Sequence, residues 1–233
     1  MINQEEQISL FKIIGTQLRN RIECIVIGGS AMMFYGAKGA TKDVDLVFLK
    51  KEDLDSVKKV LFDSGFNEKN NIKGIFREDG GTSKPAMMES PQTRFDLFLN
   101  EVIGFRIHEK TIERLREVHE FGNLIVKTAS PEDILMMKGC TEREKDRDDA
   151  SEIIKRFNIN WNIILGEVEK QAKIGIVAFP LLLYEFLTEL RENYKLDVPK
   201  NITDELIKIA EKMLKELRKK GQLIKVTKYK HKK

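Results

Sequence analysis

The chain has 233 residues, of which 41% are hydrophobic and 33% are charged. These proportions are typical of a folded protein with one large domain or two small ones, and they exclude an intrinsically disordered chain. The formal net charge of +4 is unevenly distributed, because residues 206–233 hold ten lysines and one arginine against two glutamates. This basic tail suits a solubilising end, or contacts with the phosphates of RNA.

Several classes of protein are excluded by simple patterns. Residues 1–6 are acidic and lead into no secretory hydrophobic segment, so we expect a cytoplasmic protein. The longest apolar run, Ile174–Tyr184, is interrupted by proline and is about half the ~20 residues that cross a bilayer, so no membrane span is predicted. Cys24 and Cys140 lack the spacing of a disulfide framework or a zinc site, and the three histidines show no ligand or triad spacing.

Hydrophobic spacing predicts alternating helices and strands over the first 157 residues. The predicted helices are 5–20, 30–35, 51–64, 110–120, 130–138 and 146–157. The predicted strands are 22–28, 43–49, 72–77, 94–99 and 124–127, with the turn-rich stretch 78–92 as a loop. Every segment after residue 160 has helical character. We therefore expect an α+β domain at 1–158, followed by a helical domain with a basic tail at 159–233.

Two aspartates one residue apart interrupt the apolar strand at 43–49. Because residues i and i+2 of a strand point to the same side, Asp43 and Asp45 present both carboxylates on one face. They repel each other unless a cation lies between them or one is protonated. Asp96 is a third acid, alone in the apolar strand "RFDLFL". Taken alone, an Asp-x-Asp pair is more often a turn or a surface strand, but three carboxylates suit Mg²⁺ or Mn²⁺.

A glycine turn precedes the acid pair by about a dozen residues. Gly28, Gly29 and Ser30 lie between a predicted strand and a predicted helix, where glycines permit a tight turn and backbone N–H groups can bind phosphate oxygens. The sequence is neither a Walker A motif nor GxGxxG. A plain tight turn is the alternative interpretation, and the combination with the acids favours a nucleotide site.

These residues carry a family resemblance. The string "GGSAMMFYG…TKDVDLVF", followed by the acid in "RFDLFL", resembles the nucleotidyltransferase superfamily that includes DNA polymerase beta. The segment "SPEDILMMKGCTEREKDRDDASEII" is similar to small prokaryotic members of the toxin-antitoxin and abortive-infection type. The resemblance covers residues 22–157. It implies a nucleotidyltransferase fold, with a small mixed β-sheet flanked by helices, followed here by a C-terminal α-helical domain.

The resemblance implies roles for individual residues. The metal ligands would be Asp43, Asp45 and Asp96, and Asp96 would also help to deprotonate an acceptor hydroxyl. Catalysis is assigned to Asp43, Asp45, Asp96 and Lys138. Nucleotide binding is assigned to Gly29, Ser30, Lys42, Lys138 and Asp146. Lys138 would contact phosphate or base, and Asp146, which heads the apolar face of its helix, would be its ionic partner.

Two of these assignments have plainer alternatives, and Arg94 has two possible roles. Lys138 could be a solvated helix lysine, and Asp146 could be a helix N-cap. Arg94, on the same strand face as Asp96, suits an ion pair with that acid better than a phosphate contact.

One position departs from the family pattern. Many members have an arginine two residues before the threonine that precedes the acid pair, and Gly39 stands there in this chain. Lys38 or Lys42 would then have to make the phosphate contact that this arginine makes in other members.

We therefore predict a Mg²⁺- or Mn²⁺-dependent nucleotidyltransferase that moves a nucleotidyl group from a nucleoside triphosphate such as ATP to an acceptor hydroxyl, with release of pyrophosphate. The acceptor is left open between tRNA, a protein and a small molecule. A toxin-like role would add a cognate antitoxin as partner. The alternatives are a catalytically inactive nucleotide- or RNA-binding regulatory protein on the same fold, and a helical interaction module on a passive scaffold.

Overall fold

The computed structural model describes residues 1–69, 84–141, 143–174 and 176–219. The strand predicted at 72–77 and residues 220–233 of the basic tail, including His231, lie outside the described residues. The helices of the described chain are α1 (Gln4–Gln17), α2 (Gly28–Phe34), α3 (Lys51–Asp63), α4 (Glu109–Glu113), α5 (Pro131–Lys138), α6 (Glu144–Arg156), α7 (Trp161–Ile174), α8 (Phe179–Glu192) and α9 (Lys200–Lys219). The strands are β1 (Ile2–Asn3), β2 (Ile22–Ile27), β3 (Ala40–Thr41), β4 (Asp43–Phe48), β5 (Asn67–Glu68), β6 (Ala86–Glu89), β7 (Arg94–Leu99), β8 (Glu101–Val102), β9 (Phe105–Arg106), β10 (Val118–Phe121) and β11 (Leu124–Thr128).

Seven of these strands form one mixed sheet, in the order β10-β11-β2-β4-β7-β6-β5. β2 is parallel to β11 and antiparallel to β4, whereas β4 is parallel to β7. The short pairs β1–β3 and β8–β9 lie outside this sheet. The two strands that carry the predicted acids are therefore neighbours in the middle of the sheet.

One face of the central strand β4 is apolar and fully buried. Val44, Leu46 and Phe48 of β4 have no exposed surface. Because side chains alternate along a strand, the residues at 43 and 45 project from the opposite face. The apolar positions thus fix the register that presents the acids.

Helix α5 begins as the sequence predicts. The Asp133 backbone N–H donates to the Ser130 hydroxyl at 3.1 Å, and Pro131 occupies the first turn. This cap fixes where the helix starts. The helix ends at Lys138, with Gly139 as its C-cap.

The C-terminal helices pack as a group onto the rest of the chain. α7, α8 and α9 contact one another, and α7 also contacts α5 and β9. Val168 of α7 and Leu183 of α8 belong to the same buried apolar cluster as Leu135 of α5. The α+β fold with C-terminal helices is confirmed, and the domain boundary at 158/159 stays a prediction. Within the described ranges, no helix is both long and apolar enough to cross a bilayer.

The predicted helix at 110–120 is confirmed only at its start, within α4, and is wrong after residue 113. α4 ends at Glu113, and residues 118–121 form β10, which pairs antiparallel with β11. Gly122 has a φ of 64° and closes the turn between these strands. The ladder hydrogen bonds of this hairpin, formed with the neighbouring strand, override the local helical spacing.

The loop predicted at 78–92 is wrong at residues 86–89, whereas residues 84–85 and 90–92 are loop as predicted. Residues 86–89 form β6, and Met88 pairs with Phe95 of β7 and is fully buried. Sheet pairing here overrides a composition rich in turn residues.

Candidate active site

The three predicted acids lie on two neighbouring strands. The parallel register pairs Asp45 with Asp96 and Asp43 with Arg94. Neighbouring strands are about 4.8 Å apart, and residues in register point to the same face. The structure therefore brings the acids to one patch, and it places Arg94 among them.

Arg94 is the counter-ion of two of the acids. Its Nη2 lies 2.9 Å from Asp43 Oδ2 and donates a hydrogen bond to Asp96 Oδ2, also at 2.9 Å. Burial disfavours the guanidinium charge, but Asp96 and Asp43 outweigh it and raise the pKa of Arg94. The predicted ion pair with Asp96 is confirmed. The contact with Asp43 follows from strand register, which the sequence did not reveal.

Asp45 differs from the other two acids. Among the described residues, none forms a hydrogen bond or a salt bridge with its carboxylate. Burial, followed by the negative charge of Asp96, raises the pKa of Asp45 to about 7, although Lys138 acts in the opposite direction. Near neutral pH, Asp45 is therefore a carboxyl group that either holds a proton or is ready to accept a cation.

The donor atoms suit a hard divalent cation. Asp96 Oδ1 is buried, and although Arg94 Nε lies 2.8 Å away, the two atoms lack hydrogen-bond geometry and Oδ1 has no hydrogen-bond partner. Burial raises the pKa of Asp96, although Arg94 opposes this shift. In the described part of the chain, no cluster of three or more acidic, histidine or cysteine side chains is arranged as a metal site. Carboxylate oxygens are ligands that Mg²⁺ prefers, so Asp45 is suited to such a cation as it stands. Asp43 and Asp96 could join it only if Arg94 withdraws.

The glycine turn lies directly against Asp45. Gly28 has a φ of +59°, and a Cβ atom on it would lie 2.5 Å from Asp45 Oδ2. Ser30 is fully buried, and its hydroxyl donates to the Asp43 carbonyl oxygen at 3.2 Å. The Ser30 side chain therefore fixes the start of β4. Gly28 is the turn residue that contacts the acids, a role that the sequence analysis did not assign.

Lys138 lies in a buried ionic cluster. Its Nζ donates to Asp146 Oδ1 at 2.7 Å and to Asp149 Oδ2 at 2.6 Å, and only 8% of the residue is exposed. Burial disfavours the ammonium charge, but Asp146 and Asp149 outweigh it and raise the pKa of Lys138. The predicted pairing with Asp146 is confirmed, and the interpretation of Lys138 as a solvated lysine is wrong.

Asp149 connects this cluster to the glycine turn. Its second oxygen accepts a hydrogen bond from Lys38 Nζ. The Lys38 side chain passes Gly29, since a Cβ built on that glycine would lie 3.4 Å from Lys38 Cδ. Lys42 is exposed instead, and its carbonyl oxygen accepts from Thr93 Oγ1 at 3.2 Å.

Asp149 is not among the residues assigned from the sequence. Asp149 follows Asp146 by three residues, so both acids lie on one face of α6. That spacing was visible in the sequence. The fold was needed to show that Lys38, more than a hundred residues earlier in the chain, approaches the same carboxylate.

An α+β sheet with paired strand acids beside a strand-to-helix glycine turn is the arrangement expected of a nucleotidyltransferase. The chain belongs to the family described as nucleotidyltransferase of unknown function (DUF6036), whose profile matches residues 5–175. This membership supports a general nucleotidyltransferase function.

Among solved structures, the chain is similar to an antigenic nucleotidyltransferase-like protein from Paracoccidioides brasiliensis, with 17% identity and a TM-score of 0.46. That similarity covers 88% of this chain and 94% of the other. No curated protein sequence matches the chain.

Proposed function

We propose that the protein is a cytoplasmic, Mg²⁺- or Mn²⁺-dependent nucleotidyltransferase. It binds a nucleoside triphosphate at the glycine turn and transfers the nucleotidyl group to an acceptor hydroxyl. The observation that carries the proposal is the Asp45 carboxyl group, which lies against Gly28 and beside Asp96 and has no ionic partner among the described residues. A carboxyl group in this state is suited to cation binding rather than to holding the fold together.

Asp45 would hold the cation, and Asp96 and Asp43 would join it when Arg94 withdraws. The bound cation would supply charge neutralisation for the phosphates and lower the pKa of the attacking hydroxyl. Asp96, with a raised pKa, would accept the proton of the acceptor hydroxyl. The acceptor oxygen then bonds to the α-phosphorus, and the bond between that phosphorus and the bridging oxygen breaks to release pyrophosphate.

Lys38 is a better candidate than Lys42 for the phosphate contact that the family arginine would make. Its stem passes beside Gly29 and its ammonium group is held by Asp149, whereas Lys42 is exposed. Lys138 is already paired with two aspartates. We therefore assign it chiefly to fixing Asp149 and to offsetting the charge of Asp45.

Label transfer tests the proposal directly. The protein would be incubated with each α-labelled triphosphate, Mg²⁺ and either total tRNA or cell extract. We expect label to join an acceptor, and Asp45→Ala to abolish the transfer. Asp148→Ala is the matched control, because Asp148 is exposed on α6. Transfer that persists in Asp45→Ala would disprove the assigned site.

The second candidate function is a regulatory protein that binds nucleotide or RNA without turnover. Arg94 favours it, because this arginine already neutralises Asp43 and Asp96 without any metal. Saturable binding of a triphosphate without transfer to tRNA, protein or small molecules would support this candidate over the enzyme.

The resemblance to toxin-type members extends the proposal. The chain would act as the toxin-like component of a toxin-antitoxin pair, with tRNA or a protein as acceptor and a cognate antitoxin as partner. Induced expression should then arrest growth of a bacterial host, and Asp45→Ala should relieve the arrest. Equal growth of cells that express either form would contradict this role.

A further inference from the structure

A cavity of about 290 Å³ lies between α4 and α7. The charged and polar side chains that line it belong to His108, Lys110, Arg114, Asn162, Glu167 and Lys170. It lies at the other end of α5 from the candidate active site, since Asp133 of the first turn contacts Arg114, whereas Lys138 of the last turn contacts Asp146. Five residues of helix separate these positions by about 8 Å. The cavity is therefore a separate place on the molecule.

Arg114 is held rigidly at the wall of this cavity. Its Nε and Nη2 donate to the two oxygens of Asp133 at 3.2 and 2.6 Å, and Nη2 also donates to Glu167 Oε2 at 2.8 Å. Nη1 makes no hydrogen bond to any described residue. A guanidinium group that is fixed on one edge presents its remaining N–H donors in a defined direction, which suits phosphate oxygens.

Glu167 is the acid that lines the cavity, and its charge is already compensated. Oε2 accepts from Arg114, and Oε1 accepts from Gln171 Nε2 at 2.7 Å. His108 Nε2 lies 2.7 Å from the same Oε1. His108 Nδ1 accepts from the Lys110 backbone N–H, so the ring proton is on Nε2 and is donated to Glu167. Both oxygens of the Glu167 carboxylate thus already accept hydrogen bonds within the protein. The carboxylate therefore repels an incoming anion only weakly.

Two lysines flank the cavity from opposite walls. Lys170 on α7 is exposed and has no ionic partner among the described residues. Lys110 on α4 pairs with Glu113 at 2.7 Å, but both side chains are more than half exposed, so the pair exchanges easily. Gly166 also lines the cavity, and a Cβ on it would meet no atom within 4 Å. The absent side chain leaves the space open.

We propose that this cavity binds a dianionic phosphate, either free or at the end of a larger ester, between Arg114, Lys110 and Lys170. Its volume is at the lower end of ligand sites, which fits a small anion rather than a whole nucleotide. The phosphate would join α4 to α7 across the cavity. Binding would therefore stabilise the packing of α7 on the preceding part of the chain.

The test is a titration of the full chain with inorganic phosphate at low ionic strength in EDTA, followed by calorimetry and thermal unfolding. Gly166→Leu fills the cavity without removing a charge, and leucine is a better helix former than glycine, so folding is preserved. Lys170→Met removes one cation. Lys173→Met is the matched control, because Lys173 is exposed on the same helix and does not line the cavity.

We expect saturable binding that is weakened about tenfold or more by Gly166→Leu and about fivefold by Lys170→Met, with no change in the control. Binding should persist in Asp45→Ala, which separates this site from the proposed nucleotide site. A short RNA with a 5′-phosphate is compared with the same RNA carrying a 5′-hydroxyl. Tighter binding of the phosphorylated RNA would show that the phosphate in the cavity comes from a nucleic-acid end rather than from free phosphate. The proposal fails if wild type shows no saturable phosphate binding or if Gly166→Leu binds phosphate equally well. Equal binding of the two RNAs would assign the cavity to free phosphate rather than to the end of a nucleic acid.

Discussion

Arg94 Nη2 lies 2.9 Å from Asp43 Oδ2, across the parallel pairing of β7 with β4. The guanidinium also contacts Asp96, so it holds the acids together in the absence of metal. We predict that Arg94→Gln lowers the free energy of unfolding by about 2 kcal/mol in EDTA, because it leaves the acids without a counter-ion. Millimolar Mg²⁺ should recover more stability in the variant than in wild type, since the cation can occupy the vacated place.

Urea unfolding with and without Mg²⁺ measures both effects. Arg21→Gln is the matched control, because Arg21 forms an exposed pair with Glu120 at 2.6 Å, away from the sheet face that carries the acids. Its substitution should change stability by less than about 1 kcal/mol. An equal response of the two variants to Mg²⁺ would contradict the counter-ion role of Arg94.

The raised pKa of Asp45 makes stability depend on pH. The folded protein holds this proton up to about pH 7, whereas the unfolded chain loses it near the usual value of 3.8. The contribution of Asp45 to stability is therefore complete below pH 3.8 and is lost as the pH rises through 7. We predict that Asp45→Asn, which cannot ionise, is more stable than wild type at pH 8, by at most about 4 kcal/mol.

Unfolding at pH 5 and pH 8 checks the sign of this effect. The advantage of Asp45→Asn over wild type should grow between the two pH values. Asp43→Asn should show no such gain, because Asp43 is paired with Arg94. If Asp45→Asn is less stable than wild type at both pH values, the ionised Asp45 carboxylate does not destabilise the fold, and the prediction is wrong.

The sequence was sufficient for the local features of this site. The alternation around Asp43 and Asp45 predicted a strand with one acidic face, and the Ser130 cap predicted the start of α5. Both features depend on residues close together in the chain, where periodicity and capping chemistry act.

Contacts between distant segments were not visible in the same way. The pairing of Asp43 with Arg94 depends on the register of two strands that no local pattern specifies. The path of Lys38 to Asp149 depends on how α6 packs beside the glycine turn. In the same way, β10 was mistaken for helix because its stability comes from pairing with β11 rather than from its own residues.

Lys38 and Asp149 should affect nucleotide binding together. We predict that Lys38→Met raises the KM for the triphosphate about tenfold with a smaller change in kcat, because it removes a phosphate contact made before the reaction. Asp149→Asn should have a similar but smaller effect, since it releases the Lys38 ammonium from its position. Lys42→Met should change the KM least of the three variants if Lys38 makes the phosphate contact.

Steady-state kinetics of label transfer separate KM from kcat. Lys12→Met on α1 is the control for the loss of an exposed positive charge. Asp149→Glu should restore part of the lost affinity, because it keeps a carboxylate near Lys38. A fall in kcat alone, or a larger KM effect at Lys42, would contradict the assignment.

Alanine substitutions at Gly28 and Gly36 separate the effect of backbone strain from the effect of displacing Asp45. Gly28 and Gly36 have similar φ values of +59° and +65°, but a Cβ on Gly36 would meet no atom within 4 Å, whereas one on Gly28 would lie 2.5 Å from Asp45 Oδ2. We predict that Gly36→Ala costs about 1 kcal/mol of stability, the cost of a left-handed alanine, and leaves transfer unchanged. Gly28→Ala should cost more and should abolish transfer, because the Asp45 carboxylate must move. Thermal unfolding and label transfer on both variants provide the comparison, and full activity in Gly28→Ala would show that the position of Asp45 against this turn is not required.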